Sequence, residues 1–150
     1  MIKMTNSSMT PDEAVEIARL FCEEFKVPYE CKITDSLSYL GQCDCYKKEI
    51  RISKFFLECY SYQQSLDTIR HELAHALSPH AEQHGKIWKE NFLLVGGCPR
   101  QVLPYSRKRR DYRRDELIIS WDEYCNRWEV KLKEIRRERG KQLAACRMKR

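Results

Sequence analysis

Five residues, His71-Glu72-Leu73-Ala74-His75, carry the densest chemistry in the chain. In a helix, positions i and i+4 lie one above the other, so His71 and His75 share a face, and two imidazoles so placed can bind one zinc ion. Glu72 beside them can take a proton from a water on that ion. A zinc site that keeps its fourth position for water needs a third protein ligand, and His80, Glu82, His84 and Glu90 all lie downstream. Pro79 holds Ser78 extended and ends the helix within a few residues of His75, with His80 directly behind the break. His84 follows an eight-residue connection in which the chain can reverse, and it opens a run with Trp88, Phe92 and Val95 at i+4, i+8 and i+11. Gly85 next to it permits close packing. The residues thus favour His84, with His80 and an acidic side chain as alternatives.

The elements around this motif follow from periodicity and caps. Thr10-Pro11-Asp12-Glu13 reads as a capping box with proline at the first helical position, and Ala14, Ile17, Phe21 and Phe25 give a helix up to about Phe25, ended by Pro28. Tyr29 to Leu37 reads as a strand. Gly41 allows a turn, and Gln42–Tyr46 with Glu49–Ser53 forms a hairpin in which Ile50 and Ile52 alternate with polar residues. From about Ser65 the period becomes helical, with Leu66, Ile69, Leu73, Ala76 and Leu77 as an apolar stripe set against the sheet. The fold class expected is α+β: a small antiparallel or mixed sheet of about three strands against zincin-type helices, plus a long C-terminal amphipathic helix.

Composition bounds the rest. A chain of 150 residues with 33% charged and 42% hydrophobic residues is globular rather than disordered. No apolar run approaches the roughly 18 residues of a membrane span, so no membrane partner is expected. MIKMTNSSMT lacks an apolar leader core, which points to an intracellular chain, cytoplasmic or, in a eukaryotic cell, nuclear. The eight cysteines are then expected as thiols. None forms a Cys-x-x-Cys pair, so no zinc ribbon is written here, and Cys43 and Cys45, on one strand face, read as ordinary packing with metal or redox work as the alternative.

Charge is unevenly spread. Residues 101–150 hold 16 Lys/Arg and 8 Asp/Glu, a net of +8, which leaves the first hundred at −2 of the total +6. We therefore divide the chain into a body, 1–100, and a basic extension, 101–150. Arg107, Lys108, Arg109, Arg110, Arg113 and Arg114 are dense enough to neutralise several phosphates, and Tyr105 and Tyr112 could stack on unpaired bases. A solvated loop and helix face is the plainer alternative. Ser120-Trp121-Asp122-Glu123 is a second capping box. Trp121, Cys125, Trp128, Leu132 and Ile135 then form one stripe of a helix reaching about Ala145, with Arg136, Arg137, Arg139 and Lys141 outside it.

The run from Asp67 to Pro99, DTIRHELAHALSPHAEQHGKIWKENFLLVGGCP, resembles the SprT-like metallopeptidase domain, in which HExxH on one helix is followed by His-Gly-x-x-Trp/Phe on the next. The upstream hairpin CDCYKKEIRIS and the short helical FFLECY are similar to the family's approach to its zinc helix, so the resemblance spans roughly Pro11 to Arg100. It implies Zn2+ held by His71, His75 and His84, Glu72 as general base and Trp88 as packing support. It further implies a protein substrate and, by similarity to the Spartan proteases, action on proteins trapped on DNA. Many members end in a four-cysteine zinc ribbon, whereas here only Cys125 and Cys146 follow Cys98. DNA contact would then fall to the basic extension.

Overall fold

The computed structural model describes residues 7–80, 84–97 and 117–148. Their architecture is α+β, with a three-stranded mixed sheet and five helices, of which the last is long. They belong to two compact units, Met1–Ile118 and Ile119–Arg150.

Helix α1 (Pro11–Glu24) begins as its cap dictates: the Thr10 hydroxyl accepts the Glu13 N–H at 3.1 Å, and Glu13 accepts the Thr10 N–H at 2.9 Å. Ala14, Ala18 and Cys22 form its buried line, flanked by the partly buried Ile17, Phe21 and Phe25. The helix closes in a Schellman motif, with Val27 N–H on the Cys22 carbonyl at 2.8 Å and Lys26 N–H on the Glu23 carbonyl at 3.3 Å. Lys26 occupies the left-handed position that glycine usually fills, at φ 55°.

Strands β1 (Glu30–Thr34), β2 (Gly41–Asp44) and β3 (Glu49–Ser53) lie in the order β1-β3-β2, with β1 parallel and β2 antiparallel to the central β3. Ile50 and Ile52 of β3 are fully buried in the core. Strand β1 stops three residues before the expected Leu37, because the following segment turns inward and the Ser53 hydroxyl donates to the Ser36 carbonyl at 2.6 Å. Gly41 is not a turn residue. It pairs with Ile52 inside β2, and the tight turn comes later, where the Asp44 carboxylate accepts the N–H groups of Tyr46 and Lys47 at 3.0 and 2.9 Å.

Helix α2 (Lys54–Cys59) buries Phe55, Phe56, Leu57 and Cys59 and leads into α3 (Tyr62–Leu77). Helix α3 starts one turn earlier than its apolar stripe, because Ser61 caps it by accepting the Gln64 N–H at 3.2 Å. It is buried on more than one face, at Ser65, Ile69, Glu72, Leu73 and Ala74, since α1, α4 and the sheet all pack on it. Its end falls at Leu77, ahead of Pro79. Helix α4 (Lys86–Leu94) buries Trp88 and Phe92, and Val95 continues the line. The first unit is tied off where Ile118 N–H meets the Cys59 carbonyl at 2.9 Å.

The second unit holds helix α5 (Trp121–Met148), whose first turn is capped by the Ser120 hydroxyl on the Glu123 N–H at 3.1 Å. The expected reciprocal bond is replaced: the Glu123 carboxylate pairs with Arg127 one turn on. Trp121, Cys125, Trp128, Leu132 and Ile135 are all partly buried, and Tyr124, between them, is the residue most deeply covered. Its ring lies 5.3 Å from Trp121 and 6.1 Å from Trp128. From Arg136 to Met148 every position is exposed, because Arg139 and Gln142 interrupt the stripe.

Candidate metal centre

Helix geometry sets His71 and His75 one turn apart on α3, and His84 arrives from the residue just ahead of Gly85, the N-cap of α4. The Nε2 atoms of the three histidines converge: His71 to His75 3.2 Å, His75 to His84 3.0 Å, His71 to His84 3.1 Å. Among the described residues they form the group of side chains that could hold a metal ion. Hydrogen bonding alone cannot satisfy this triangle. Each Nε2 is either a donor or an acceptor, and in a ring of three such atoms two of the same kind must face each other. A cation at which all three lone pairs point removes the conflict. Nitrogens about 2.0–2.1 Å from one tetrahedral ion stand roughly 3.3 Å from one another, close to the separations found.

Protonation agrees with that fit. Burial first, then the charges of His75 and His84, push His71 down to about 3. Burial, then His84, lowers His75 to about 4, and burial lowers His84 as well. All three are neutral at pH 7, the form that ligates a metal.

The histidines rest on α4. The Trp88 ring centroid lies 4.8, 5.5 and 4.8 Å from those of His71, His75 and His84, and its indole N–H donates to the His71 carbonyl at 3.4 Å. Phe92 stacks behind Trp88 at 4.9 Å. Asn91, one turn beyond Trp88, closes the end of α3 by donating to Ser78 Oγ at 2.9 Å and to the Leu77 carbonyl at 3.3 Å. The second bond satisfies a terminal carbonyl that α3 cannot, and together they tie the helix that carries two histidines to the one that follows the third.

Glu72 points to the other side, toward the sheet edge. Leu40 turns its carbonyl to the Ser53 N–H, so by alternation Gly41 and Cys43 turn their backbone groups away from β3 and toward α3. The Cys43 N–H faces the Glu72 carboxyl and favours its charged form. Its Oε2 lies 4.0 Å from His71 Nε2, and the residue is only 7% exposed. Burial pushes its carboxyl up to about 8, against the opposing effect of the Cys43 N–H. A carboxyl group whose proton affinity is raised in this way can exchange a proton near neutral pH. Gly41 makes the arrangement sterically possible: a Cβ there would stand 2.7 Å from Thr68 Cγ2 and 3.1 Å from Glu72 Cγ.

His80 stands apart from the cluster. It is exposed, with its Nε2 3.3 Å from the Tyr46 hydroxyl. Glu90 is also exposed and outside the cluster. Glu82, together with Tyr105, Arg107, Lys108, Arg109, Arg110, Tyr112, Arg113 and Arg114, lies outside the described residues. Sequence reasoning missed the contributions of Gly41, Cys43 and Asn91. Gly41 reads as a turn residue in the sequence, and its close approach to α3 is set by Thr68 and Glu72, which lie far from it in the chain.

A sheet edge and two helices together present three histidines and a buried glutamate, a group that could hold a metal ion. The SprT-like family matches residues 15–109, and the chain belongs to that family. Comparison with curated proteins and with solved structures gave no match.

Proposed function

We propose that this protein is a zinc metalloendopeptidase acting on proteins bound or crosslinked to DNA, with His71, His75 and His84 as ligands and Glu72 as general base. The observation that carries the reading is the convergence of three neutral imidazoles beside a buried carboxylate. Imidazole donors in a small tetrahedral set suit zinc among the abundant divalent ions. Zinc bound there supplies Lewis acidity, which acidifies a water and polarises a peptide carbonyl. The chain's own residues do the remainder. Glu72, buried beside the Cys43 N–H, takes the proton of the attacking water and returns it to the leaving amine. Trp88 and Asn91 hold the ligands in place. A purely structural zinc would have no use for a carboxylate buried at this cost.

The DNA part of the proposal rests on charge. Between Lys131 and Met148, helix α5 carries 7 Lys/Arg against 2 Asp/Glu, and its last thirteen residues are exposed. Arg107, Lys108, Arg109, Arg110, Arg113 and Arg114 add a second basic cluster. In this reading residues 1–100 are the peptidase and 101–150 the phosphate-binding extension of an intracellular protein. No described helix is long and apolar enough to cross a membrane.

Zinc content and cleavage of a DNA-bound protein, measured with and without single-stranded DNA, test the proposal. Glu72→Gln is expected to keep zinc and lose cleavage by a factor of at least about 10². His84→Ala is expected to lose zinc, and His80→Ala to retain both zinc and cleavage. Full zinc in His84→Ala, or none in the wild type, would overturn the site. Salt-sensitive DNA binding with no cleavage under any condition would leave the alternative, a catalytically idle zinc-stabilised module that binds DNA or protein.

A further inference from the structure

Away from the histidines, two thiols face each other. Cys22 Sγ and Cys31 Sγ are 4.0 Å apart. Cys22 sits in the last turns of α1 and is 5% exposed, while Cys31 lies on β1 and is partly exposed. Both backbones are fixed. The Cys22 carbonyl is the acceptor of the Schellman bond from Val27, and Cys31 is held in register opposite Ile50 of the central strand. Closing to bonding distance therefore falls to side-chain rotation, over about 2 Å. The contact with Cys31 holds the Cys22 thiol below its ordinary range, and the same contact, with burial, pushes Cys31 up. Arg19 places a positive charge near Cys31, and Glu30 a negative one.

We propose that Cys22 and Cys31 form a two-electron redox site that a hydroperoxide oxidises to an intramolecular disulfide and that low-molecular-weight thiols reduce again. The Cys22 sulfur attacks hydrogen peroxide. The O–O bond breaks, one oxygen stays on Cys22 as a sulfenic acid, and the other leaves as water with the thiol proton. The Cys31 sulfur then attacks the Cys22 sulfur, the S–S bond forms as the S–O bond breaks, and the hydroxyl departs as a second water with the Cys31 proton. The two thiols lose two electrons and the peroxide gains them. Two equivalents of a small thiol reverse the process by exchange through a mixed disulfide. The bond would staple the end of α1 to β1, the strand beside the central one. The proposal does not rest on the peptidase reading.

The full chain, reduced, freed of reductant and exposed to graded hydrogen peroxide, is then alkylated, digested and mapped by mass spectrometry. The expected result is an intact chain about 2 Da lighter, a cross-linked peptide joining Cys22 to Cys31, and its loss on adding dithiothreitol. Oxidation should also raise the melting temperature of the wild type but not of Cys31→Ser. In Cys31→Ser, Cys22 should instead be trapped by dimedone as its sulfenic acid. The wild-type map decides the matter even where a variant folds poorly. Absence of the Cys22–Cys31 peptide at peroxide levels that oxidise the exposed Cys146 would overturn the proposal, as would a different linkage, such as Cys43 to Cys45, in its place.

Discussion

Replacing Gly41 by alanine tests how closely the sheet edge and the histidine helix are fitted. The new Cβ would stand 2.7 Å from Thr68 Cγ2 and 3.1 Å from Glu72 Cγ, whereas carbon atoms in contact sit at about 3.5–4.0 Å. Thr68 cannot turn its methyl aside cheaply, because its hydroxyl donates to the Gln64 carbonyl at 3.0 Å. Strand β2 and helix α3 must therefore separate by roughly 0.8 Å, an overpacking cost of about 1–3 kcal/mol. At roughly 4 °C per kcal/mol for a chain of this size, the melting point should fall by roughly 4–12 °C. Cleavage should fall further than stability alone explains, since a misplacement near 1 Å can cost on the order of 10²-fold in rate. Zinc affinity should change little, because Gly41 touches Glu72 and not the histidines. Thr68→Ser removes the methyl and keeps the hydroxyl, so the double variant should recover most of the lost stability, giving a coupling of about 1 kcal/mol or more in a double-mutant cycle. Thermal unfolding of the four proteins reads this directly. A Gly41→Ala protein as stable as the wild type, or one that Thr68→Ser leaves unrescued, would refute the reasoning.

Two further changes address the supports of the site and of the sheet. Asn91→Ala removes the clamp between α4 and the end of α3; it should cost about 0.5–1.5 kcal/mol per lost bond and weaken zinc binding about 10-fold or more, read by competition with a chromogenic chelator, with unchanged affinity as the contrary result. Asp44 is held below the ordinary carboxylate range by the Lys47 N–H and then by Arg51, and Glu49 by Lys32 and then by Arg51. Because the folded pKa values are the depressed ones, this stabilisation is complete above the unfolded values of 3.8 and 4.5 and is lost as the pH falls through the folded ones. The gap in urea midpoint between wild type and Arg51→Gln should therefore narrow from about pH 5 to about pH 3, and a gap independent of pH would contradict the assignment.

What could be read in the residues was mostly local. The Thr10 and Ser120 caps, the hairpin of alternating Ile50 and Ile52, and the helical spacing of His71 and His75 each depend on contacts within a few positions, so the pattern alone specifies them. The helix stop at Pro79 was legible for the same reason, and His84 meets the other two histidines in space. The start of α3 was legible too, in Ser61-Tyr62-Gln63-Gln64, but the polar first turn hid it from a search for apolar periodicity. Long-range matters were not legible. Nothing in β1 announces that it pairs parallel to β3 rather than to its successor, and the extra buried faces of α3 come from three neighbours arriving at once. Gly41 looked like a turn because a glycine's need for space is written by its neighbour in the fold, here Thr68, not by its neighbours in the chain.

The approach of Glu72 to the Cys43 N–H bears on the sheet as an object. A three-stranded sheet ends in strands whose outer N–H groups invite another chain to join them, a route to aggregation that proteins must block. On the β2 side, helix α3 packs along that edge and its Glu72 carboxyl faces the Cys43 N–H, so one of the outward donors lies under the helix that carries the histidines. The position is thereby constrained by the sheet as well as by the proposed chemistry: glutamine would still offer the Cys43 N–H an oxygen, whereas alanine would take it away.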